Sequence, residues 1–328
     1  MSLTLVDKLW NMHEVQRLSE RRSLLYIDRI FLHERTGSVA LRELEAKQRK
    51  VRLPGHAFCT MDHIVDTTPG RSDSTLMPSG QDFIVATRSA AQEASIRLFD
   101  IDDPDQGIVH VLSPELGIAL PGSTLICPDS HTCTLGGIGA LAWGVGSTET
   151  EHALATSTLR VERPKNYRVN LEGELPAWVT AKDLILYVIR ALSASGGQGY
   201  AIEFAGSAVE SLSVEGRLTL CNMATELSAF TGIIAPDQKV IDYFLDRDFA
   251  PSGRNWELAQ AHWQDLKSDP DAVFDREISL DVGRITPQIS WGTSPQHTID
   301  ASAVIPAPTD APSALQHSSW AKAQAYMQ

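Results

Sequence analysis

Residues 123–156 constrain the fold more than any other part of the chain. They begin with a short, apolar, β-branched run, 123–127, of the kind that forms a buried parallel strand. A polar loop, 129–132, follows, and then a stretch rich in glycine and alanine. Thr148 with Glu151 three residues later has the form of a capping box and predicts the start of a helix. This order of strand, polar loop and helix predicts an α/β protein, whose ligands bind at the carboxyl ends of the strands.

Other segments predict the same alternation of strands and helices. Residues 24–29 predict a strand, and 107–111 form a short apolar run that predicts another and leads into polar side chains. Residues 167–171 alternate as a strand does, and Thr180 with Asp183 predicts the start of an amphipathic helix. The β-to-α step therefore occurs more than once along the chain.

The length of 328 residues, with 43% hydrophobic residues, is enough for two domains. We place one domain at residues 1–163, a second at 164–305, and a proline- and alanine-rich tail at 306–328. The longest weakly polar stretch, 135–146, is far shorter than the roughly 20 apolar residues that a membrane span needs. No basic region followed by an apolar run opens the chain, so we expect no secretory signal and a cytoplasmic location.

The charge of the chain limits its partners. A formal net charge of -13 and a pI near 5.2 create a field that repels polyanions. We therefore expect neither nucleic acid nor an anionic membrane as a main partner. A small anionic substrate would need a local pocket of basic or hydrogen-bonding groups.

The four cysteines, Cys59, Cys127, Cys133 and Cys221, include no CxxC pair. They match neither a disulfide framework nor a standard zinc site, so free, reduced thiols are expected. Cys127 and Cys133 flank the polar loop, but their spacing favours buried packing residues over metal ligands. The sequence therefore predicts no metal site on these cysteines.

Two candidate groups precede the polar loop. Asp62 lies beside His63, and a carboxylate next to an imidazole can orient the ring and raise its basicity. Adjacent acid and histidine pairs are also common on surface loops, and that interpretation stays open for this dipeptide alone. His110 ends an apolar run, where a hydrogen-bonded core histidine is the ordinary alternative to a catalytic one.

Asp129-Ser130-His131 is the strongest local signal. A spacing of two residues at the end of a strand projects Asp129 and His131 to the same side, and Ser130 adds a hydroxyl. A simple turn capped by Thr132 is the alternative, whereas a Ser-His-Asp hydrolase is disfavoured because the chain has no GxSxG elbow. Glu226 lies in a helix-compatible segment, where it is either a surface residue or a carboxylate that orients a histidine.

Taken together, four motifs resemble those of the aconitase superfamily. They are Thr60-Met61-Asp62-His63, Gly107-Ile108-Val109-His110, Asp129-Ser130-His131-Thr132 and Cys221-Asn222-Met223. Within that superfamily the set is most similar to the large subunits of the 3-isopropylmalate dehydratases, and the resemblance covers essentially the whole chain. It implies three-layer α/β/α domains of the aconitase type.

The resemblance implies a hydro-lyase of leucine biosynthesis that removes water from, and adds it to, hydroxy di- or tricarboxylic acids. Hydroxide is a poor leaving group, so acid assistance at the oxygen is essential. The resemblance gives that role to Asp62 and His63, and places His110 and Asp129 around the bound hydroxyl or water. The remaining roles are His131 paired with Glu226, Ser130 on a substrate carboxylate, His33 in contact with substrate, and Asn222 near the cluster of site residues.

The resemblance also implies a cofactor and partners. Family members hold a [4Fe–4S] cluster on three cysteines of a third domain, in a Ser-Cys-Thr-Asn-Ser motif and a later cysteine pair. This sequence contains none of those ligand motifs, so we expect no cluster ligands in this chain. The partners implied are a small subunit, which supplies the general base, and a separate C-terminal cluster domain.

Three hypotheses follow from these motifs and from the missing cluster ligands. In the first, the chain is a shortened or split large subunit that is inactive alone. In the second, it is a cluster-free relative that carries out acid–base isomerisation or decarboxylation on a similar acid. In the third, it is a non-catalytic module that docks with other subunits. The identity of the hydroxy acid is left open.

Overall fold

The computed structural model describes residues 2–327. Its strands are β1 Glu14–Arg17, β2 Arg22–Tyr26, β3 Arg29–His33, β4 Ala57–Thr60, β5 Arg97–Phe99, β6 Thr124–Cys127, β7 Leu141–Gly144, β8 Thr158–Glu162, β9 Lys165–Glu172, β10 Tyr200–Ala205, β11 Thr231–Ile233, β12 Arg276–Asp281, β13 Gln288–Ser290 and β14 Thr298–Asp300.

The α-helices alternate with these strands over much of the chain. They are α1 Leu5–His13, α2 Gly37–Ala46, α3 Gly80–Glu93, α4 Val109–Glu115, α5 Ser147–Thr156, α6 Ala181–Leu192, α7 Ser207–Ser211, α8 Val214–Asn222, α9 Gln238–Tyr243, α10 Arg254–Gln264 and α11 Ala314–Met327. Short 3₁₀ segments lie at Pro54–His56, Ser130–Ile138, Thr225–Leu227 and Pro308–Asp310.

Five parallel strands form sheet 1, in the order β5-β4-β3-β6-β7. The chain adds β4 and β5 on one side of β3, then crosses back to place β6 and β7 on the other side. All four residues of β4 and all four residues of β6 are buried, as expected for central strands covered on both faces. The winding therefore reverses between β3 and β6, which creates a crevice at their carboxyl ends.

Sheet 2 has four parallel strands in the order β11-β10-β9-β12 and winds in the same way. Helix α6 connects β9 to β10 and is capped by Thr180, whose hydroxyl accepts the Asp183 N–H, as the sequence predicts. The buried side chains Leu184, Ile185 and Val188 of α6 pack in the core of this sheet. The winding of sheet 2 reverses between β9 and β12.

Two smaller antiparallel sheets complete the strand pairing. Strands β1, β2 and β8 form one sheet, and β13 pairs with β14 in the other. Strand β8 is followed directly by β9, so the three-stranded sheet lies at the chain connection between sheets 1 and 2.

The segment Ser130–Ile138 joins the two parallel sheets through glycine. A Cβ atom on Gly136 would lie 1.7 Å from the carbonyl oxygen of Gly232, and one on Gly137 would lie 2.6 Å from the Leu218 nitrogen. The Ile234 N–H also donates to the Gly136 carbonyl over 2.9 Å. Only glycine permits this approach, which brings α8 and strand β11 of sheet 2 against the loop that follows β6.

The parallel sheets flanked by helices confirm the predicted α/β fold class. One predicted strand is wrong: residues 107–111 enter helix α4, in which Val109 is fully buried and Val111 is 47% exposed. A strand would place both valines on one face, whereas the helical turn separates them. Helix α5 also begins earlier than predicted, at Ser147, where the Gly146 N–H donates to the Glu149 carboxylate.

Among residues 2–327, no helix combines the length and the apolar character that crossing a bilayer requires. Most of the predicted tail forms α11, whose Trp320 ring lies edge-on to Trp291 at 5.4 Å between centroids.

Candidate active site

The candidate site lies at the crevice between β3 and β6. His33 is the last residue of β3 and pairs in register with Thr60, the last residue of β4. Asp62 and His63 follow β4 by two and three residues, and Asp129 follows β6 by two. Parallel strands therefore deliver these side chains to one edge of sheet 1.

Two histidines and two aspartates form a continuous chain of contacts. His63 Nδ1 lies 2.6 Å from Asp62 Oδ1, and His63 Nε2 lies 3.3 Å from Asp129 Oδ2. His110 Nε2 lies 3.3 Å from the same Asp129 oxygen. The order Asp62, His63, Asp129, His110 thus places one carboxylate between two imidazoles, and a second carboxylate behind the first imidazole.

The electrostatic coupling in this chain favours charged forms. The contact with Asp129 and the hydrogen bond to Asp62 raise the pKa of His63 to about 10, against the opposing effect of burial. Burial raises the pKa of Asp129, but the neighbouring imidazoles of His110 and His63 outweigh it and hold that pKa well below its usual range. At neutral pH, His63 is therefore a cation and Asp129 an anion.

Asp62 also connects β4 to the helix that carries His110. Its Oδ2 accepts the N–H of Val109, the first residue of α4, over 3.0 Å. A carboxylate is stabilised at this position because the N–H groups of the first helical turn have no partner within the helix. The same Asp62 side chain, 2% exposed, therefore orients His63 and holds the start of α4.

His33 stacks face to face on His63, with ring centroids 3.7 Å apart and an angle of 14° between the planes. Its Nε2 lies 3.1 Å from the Pro128 carbonyl, which identifies Nε2 as the donor, while its buried Nδ1 has no hydrogen-bond partner among residues 2–327. Burial, together with the nearby His63, lowers the pKa of His33. A neutral ring thus lies against a charged one.

The loop after β6 contributes three further groups. The His131 N–H donates to Asp129 Oδ1 over 2.8 Å, so the backbone of this loop fixes the Asp129 carboxylate. The Ser130 hydroxyl lies 3.2 Å from His131 Nδ1 and is exposed. His131 Nε2 lies 3.8 Å from Glu226 Oε1, within ion-pair distance but beyond a hydrogen bond.

Asn222 lies behind this loop. Its Nδ2 donates to the Thr134 hydroxyl over 2.8 Å, and that hydroxyl donates to the His131 carbonyl over 2.6 Å. The sequence motif around Asn222 therefore meets the motif around His131 in space, through the end of α8. Among residues 2–327, no hydrogen bond joins the Asn222 side chain to Asp62, His63, Asp129 or His110; its amide donates to Thr134.

Glu34 is a site residue that the sequence reasoning missed. It follows His33 directly, is fully buried, and its carboxylate accepts backbone N–H groups of the 62–65 loop. One signal was present in the sequence, since a charged residue that directly follows the run Ile30–His33, which forms a buried strand, is unusual in an interior. Its partners are backbone groups, which no side-chain pattern reveals.

The cysteines do not fit an iron–sulfur cluster. Cys59 and Cys127 pack in one apolar core, and Cys133 and Cys221 pack in another. Burial raises the pKa of each thiol, to about 12 for Cys133. A cluster needs thiolates grouped around an open space, whereas these four thiols are neutral, divided between two apolar cores and at most 2% exposed.

One group of residues has the composition of a metal site. His33, Glu34, Asp62 and His63 each place a ligand atom within 4.8 Å of the others. The Glu34 oxygens already accept backbone N–H groups, and Asp62 already binds His63 and Val109. The stacked imidazoles also lie in parallel planes, so their lone pairs do not converge. The geometry is that of a hydrogen-bond network.

The fold and the site define an α/β protein with a network of paired histidines and aspartates at the switch point of a parallel sheet. The model of the Aconitase family (aconitate hydratase) matches residues 7–328, and the chain belongs to this family. A curated relative, the 3-isopropylmalate dehydratase large subunit 1 of Bradyrhizobium diazoefficiens (strain JCM 10833 / BCRC 13528 / IAM 13628 / NBRC 14792 / USDA 110), is 49% identical over 307 residues. The match covers 94% of this chain and 64% of that relative, so the chain spans less than two thirds of its length.

Proposed function

We propose that the chain supplies the acid–base half of a hydro-lyase site that dehydrates and rehydrates a hydroxy di- or tricarboxylic acid of the 3-isopropylmalate type. The observation that supports this most is the chain of contacts from Asp62 through His63 and Asp129 to His110. Membership of the aconitase family and the relative named a dehydratase support the same class of reaction.

His63 is the proton donor in this proposal. It is protonated at neutral pH and 27% exposed, so its Nε2 proton is available to a hydroxyl that enters beside Asp129. Protonation of the hydroxyl converts a poor leaving group into water. Asp62 on the opposite ring nitrogen keeps the imidazole in place and stabilises its charge until the proton is transferred.

Asp129 and His110 hold the departing or attacking water. The Asp129 carboxylate is an acceptor for that water, and His110 lies against the same oxygen. In the rehydration direction the neutral His63 takes a proton from the water, which microscopic reversibility requires of the group that gave it.

The remaining residues bind the substrate in this proposal. Ser130 is exposed beside His131 and offers a hydroxyl to a substrate carboxylate, and His131 with Glu226 forms the far wall. His33 contacts the substrate through its ring, which is stacked on His63. Asn222 acts through the loop, by supporting Thr134 beneath His131.

Partners and further chain segments complete the enzyme. The relative is named a large subunit, and we propose that this chain likewise acts with a small subunit that supplies the general base. Aconitase-family proteins bind an iron–sulfur cluster, but the four cysteines here do not fit one, so no step of this proposal passes through it. We assign the cluster to a further domain, keep the divisions at residues 163 and 305 as proposals, and propose a cytoplasmic location.

The test is hydration by the native assembly, isolated from its source cells through a tag on this chain. Hydration of the unsaturated acid removes a conjugated double bond, so loss of ultraviolet absorbance measures it. We expect activity in the assembly and none in the purified 328-residue chain. An assembly that hydrates none of the candidate acids would overturn the proposal, and steady turnover by the chain alone, free of iron, would favour the cluster-free hypothesis.

A further inference from the structure

Glu34 occupies an unusual position for a carboxylate. It directly follows the buried strand β3, and its residue exposure is 0%. Charged residues are almost never fully buried unless their charge is compensated. None of the side-chain ion pairs among residues 2–327 includes Glu34, so its compensation comes from elsewhere.

The compensation comes from consecutive backbone amides. Glu34 Oε2 accepts the Asp62 N–H over 2.9 Å, and Oε1 accepts the His63 N–H over 2.7 Å. Oε1 also accepts the Ile64 N–H in a short hydrogen bond and the Val65 N–H over 3.4 Å. Four successive N–H groups thus converge on one carboxylate.

This arrangement requires an acceptor on both oxygens. An ionised carboxylate has lone pairs on each oxygen and no donor, which matches four incoming N–H groups. An amide of the same shape would place its NH2 group against at least one of these backbone donors. Hydrogen bonds to a charged acceptor are about twice as strong as neutral ones, so Glu34 holds the 62–65 loop more firmly than a neutral residue would.

Glu34 itself is fixed from the other side. Its backbone carbonyl accepts the hydroxyl of Thr87, a fully buried residue of α3, over 3.1 Å. The loop that carries Asp62 and His63 is therefore tied through Glu34 to the end of β3 and to α3. It has neither helical nor strand hydrogen bonds of its own at Asp62 and His63.

We propose that Glu34 is the positioning residue of the site: its carboxylate gathers the amides of the 62–65 loop and so sets the placement of His63 between Asp62 and Asp129. The inference rests on the proposed function only in that His63 is the proton donor there. The dependence of the His63 ring position on Glu34 can be measured without any reaction.

The first experiment compares Glu34→Gln with Glu203→Gln in the 328-residue chain labelled at the histidine rings. Glu203 is a matched control because it is also buried, at 4% exposure, but accepts the Ser268 hydroxyl in sheet 2, far from the loop in sequence and topology. Ring NMR signals followed against pH give the pKa and tautomer of His63. We expect Glu34→Gln to lower the His63 pKa by about one unit or more, because its contacts with Asp62 and Asp129 loosen, and Glu203→Gln to leave it unchanged.

Glu34→Asp keeps the charge but shortens the side chain by one methylene. We expect its His63 pKa to lie between those of the wild type and Glu34→Gln, a partial rescue that loss of general stability would not produce. A folded Glu34→Gln variant with the wild-type His63 pKa and tautomer would overturn the proposal.

A second measurement uses the wild-type chain alone, so it tests the proposal even if Glu34→Gln does not fold. In the wild-type chain, the amides of Asp62, His63 and Ile64 should exchange with solvent about 10-fold or more slowly than those of the loop residues 72–74. Rapid exchange at all three amides would overturn the proposal. If the NMR results hold while the native assembly shows no hydration, the positioning role survives and the proposed function fails.

Discussion

Sheets 1 and 2 have the same winding, but different groups occupy the point where the strand order of each sheet reverses. In sheet 1, the crevice between β3 and β6 receives Glu34, Asp129 and, from the neighbouring strand, Asp62 with His63. In sheet 2, backbone fills the corresponding place between β9 and β12. A Cβ atom on Gly173 would lie 2.9 Å from the Gly283 nitrogen, and the Val282 N–H donates to the Glu172 carbonyl.

The difference shows that a reversal of strand order can create a crevice for a site, but does not by itself place functional side chains there. Both reversals leave the carboxyl ends of two adjacent strands open to different connections. In sheet 2, Gly173, with φ +111°, turns the chain so tightly that the two strand ends meet. In sheet 1, charged residues and their hydrogen bonds occupy the gap. The residues that follow each strand decide which outcome occurs.

The largest expected effect comes from removing the central carboxylate of the sheet 1 crevice. Asp129→Asn takes away the anion that contacts both His63 and His110, so we expect hydration by the native assembly to fall roughly 1000-fold. The matched change in sheet 2 is Glu172→Gln at the end of β9, where the carboxylate accepts the N–H and the hydroxyl of Ser207. Rates that fall equally in both variants would remove the distinction between the sheets.

Next in size is a change at the junction that holds the two sheets together. Gly136→Ala would push a methyl group into the Gly232 carbonyl, so we expect the free energy of unfolding to fall by about 3 kcal/mol. Urea denaturation measures this. Gly55→Ala is the control, because a Cβ there meets no atom within 4 Å. Equal stability of both variants would contradict the close packing described for residues 130–138.

The raised pKa of His63 predicts a pH dependence of stability that arises in sheet 1. The His63 pKa is raised from 6.5 to about 10 on folding, so its stabilising effect is complete below pH 6.5 and is lost as pH rises to about 10. We expect the denaturation midpoint to fall across this range, and less so in His63→Gln. The buried thiols also lower stability above about pH 9, because their pKa in the folded state lies well above 9.0 and only the unfolded thiols ionise there. This effect is the same in both proteins, so the difference between the two curves isolates His63.

The smallest effect is expected at the rim of the crevice. His131 and Glu226 lie 3.8 Å apart and each is 38% exposed, so water screens their attraction. Glu226→Gln should reduce the hydration rate by less than about 5-fold, since an exposed pair contributes at most about 1 kcal/mol. A loss as large as that of Asp129→Asn would mean that Glu226 acts directly on substrate.

The sequence predicted well where a signal is carried by side chains near one another in the chain. The buried strand before Asp129 and the capped helix at Thr180 both have local patterns, and both are present. Helix α4 was mistaken for a strand because Ile108, Val109 and Val111 are β-branched. Its first N–H group donates to the Asp62 carboxylate, which lies 47 residues earlier and so adds nothing to the local pattern.

The sequence predicted which residues belong to the site better than it predicted which of them contact one another. The motifs select Asp62, His63 and Asp129, but the contact between His63 and Asp129 depends on strands β4 and β6 flanking β3. The order of strands in a sheet is a property of the whole fold. Glu34 was missed for the same reason, because its partners are amides brought close only by the pairing of β3 with β4.

The burial of all four thiols has a practical consequence for any assembly that contains this chain. Thiols that are neutral and shielded from solvent react slowly with alkylating and disulfide reagents. A titration of reactive sulfhydryl groups in the native assembly would therefore count the cysteines of the other components and leave this chain silent. A single cysteine introduced on its surface would then carry a fluorescent or spin label at one defined position.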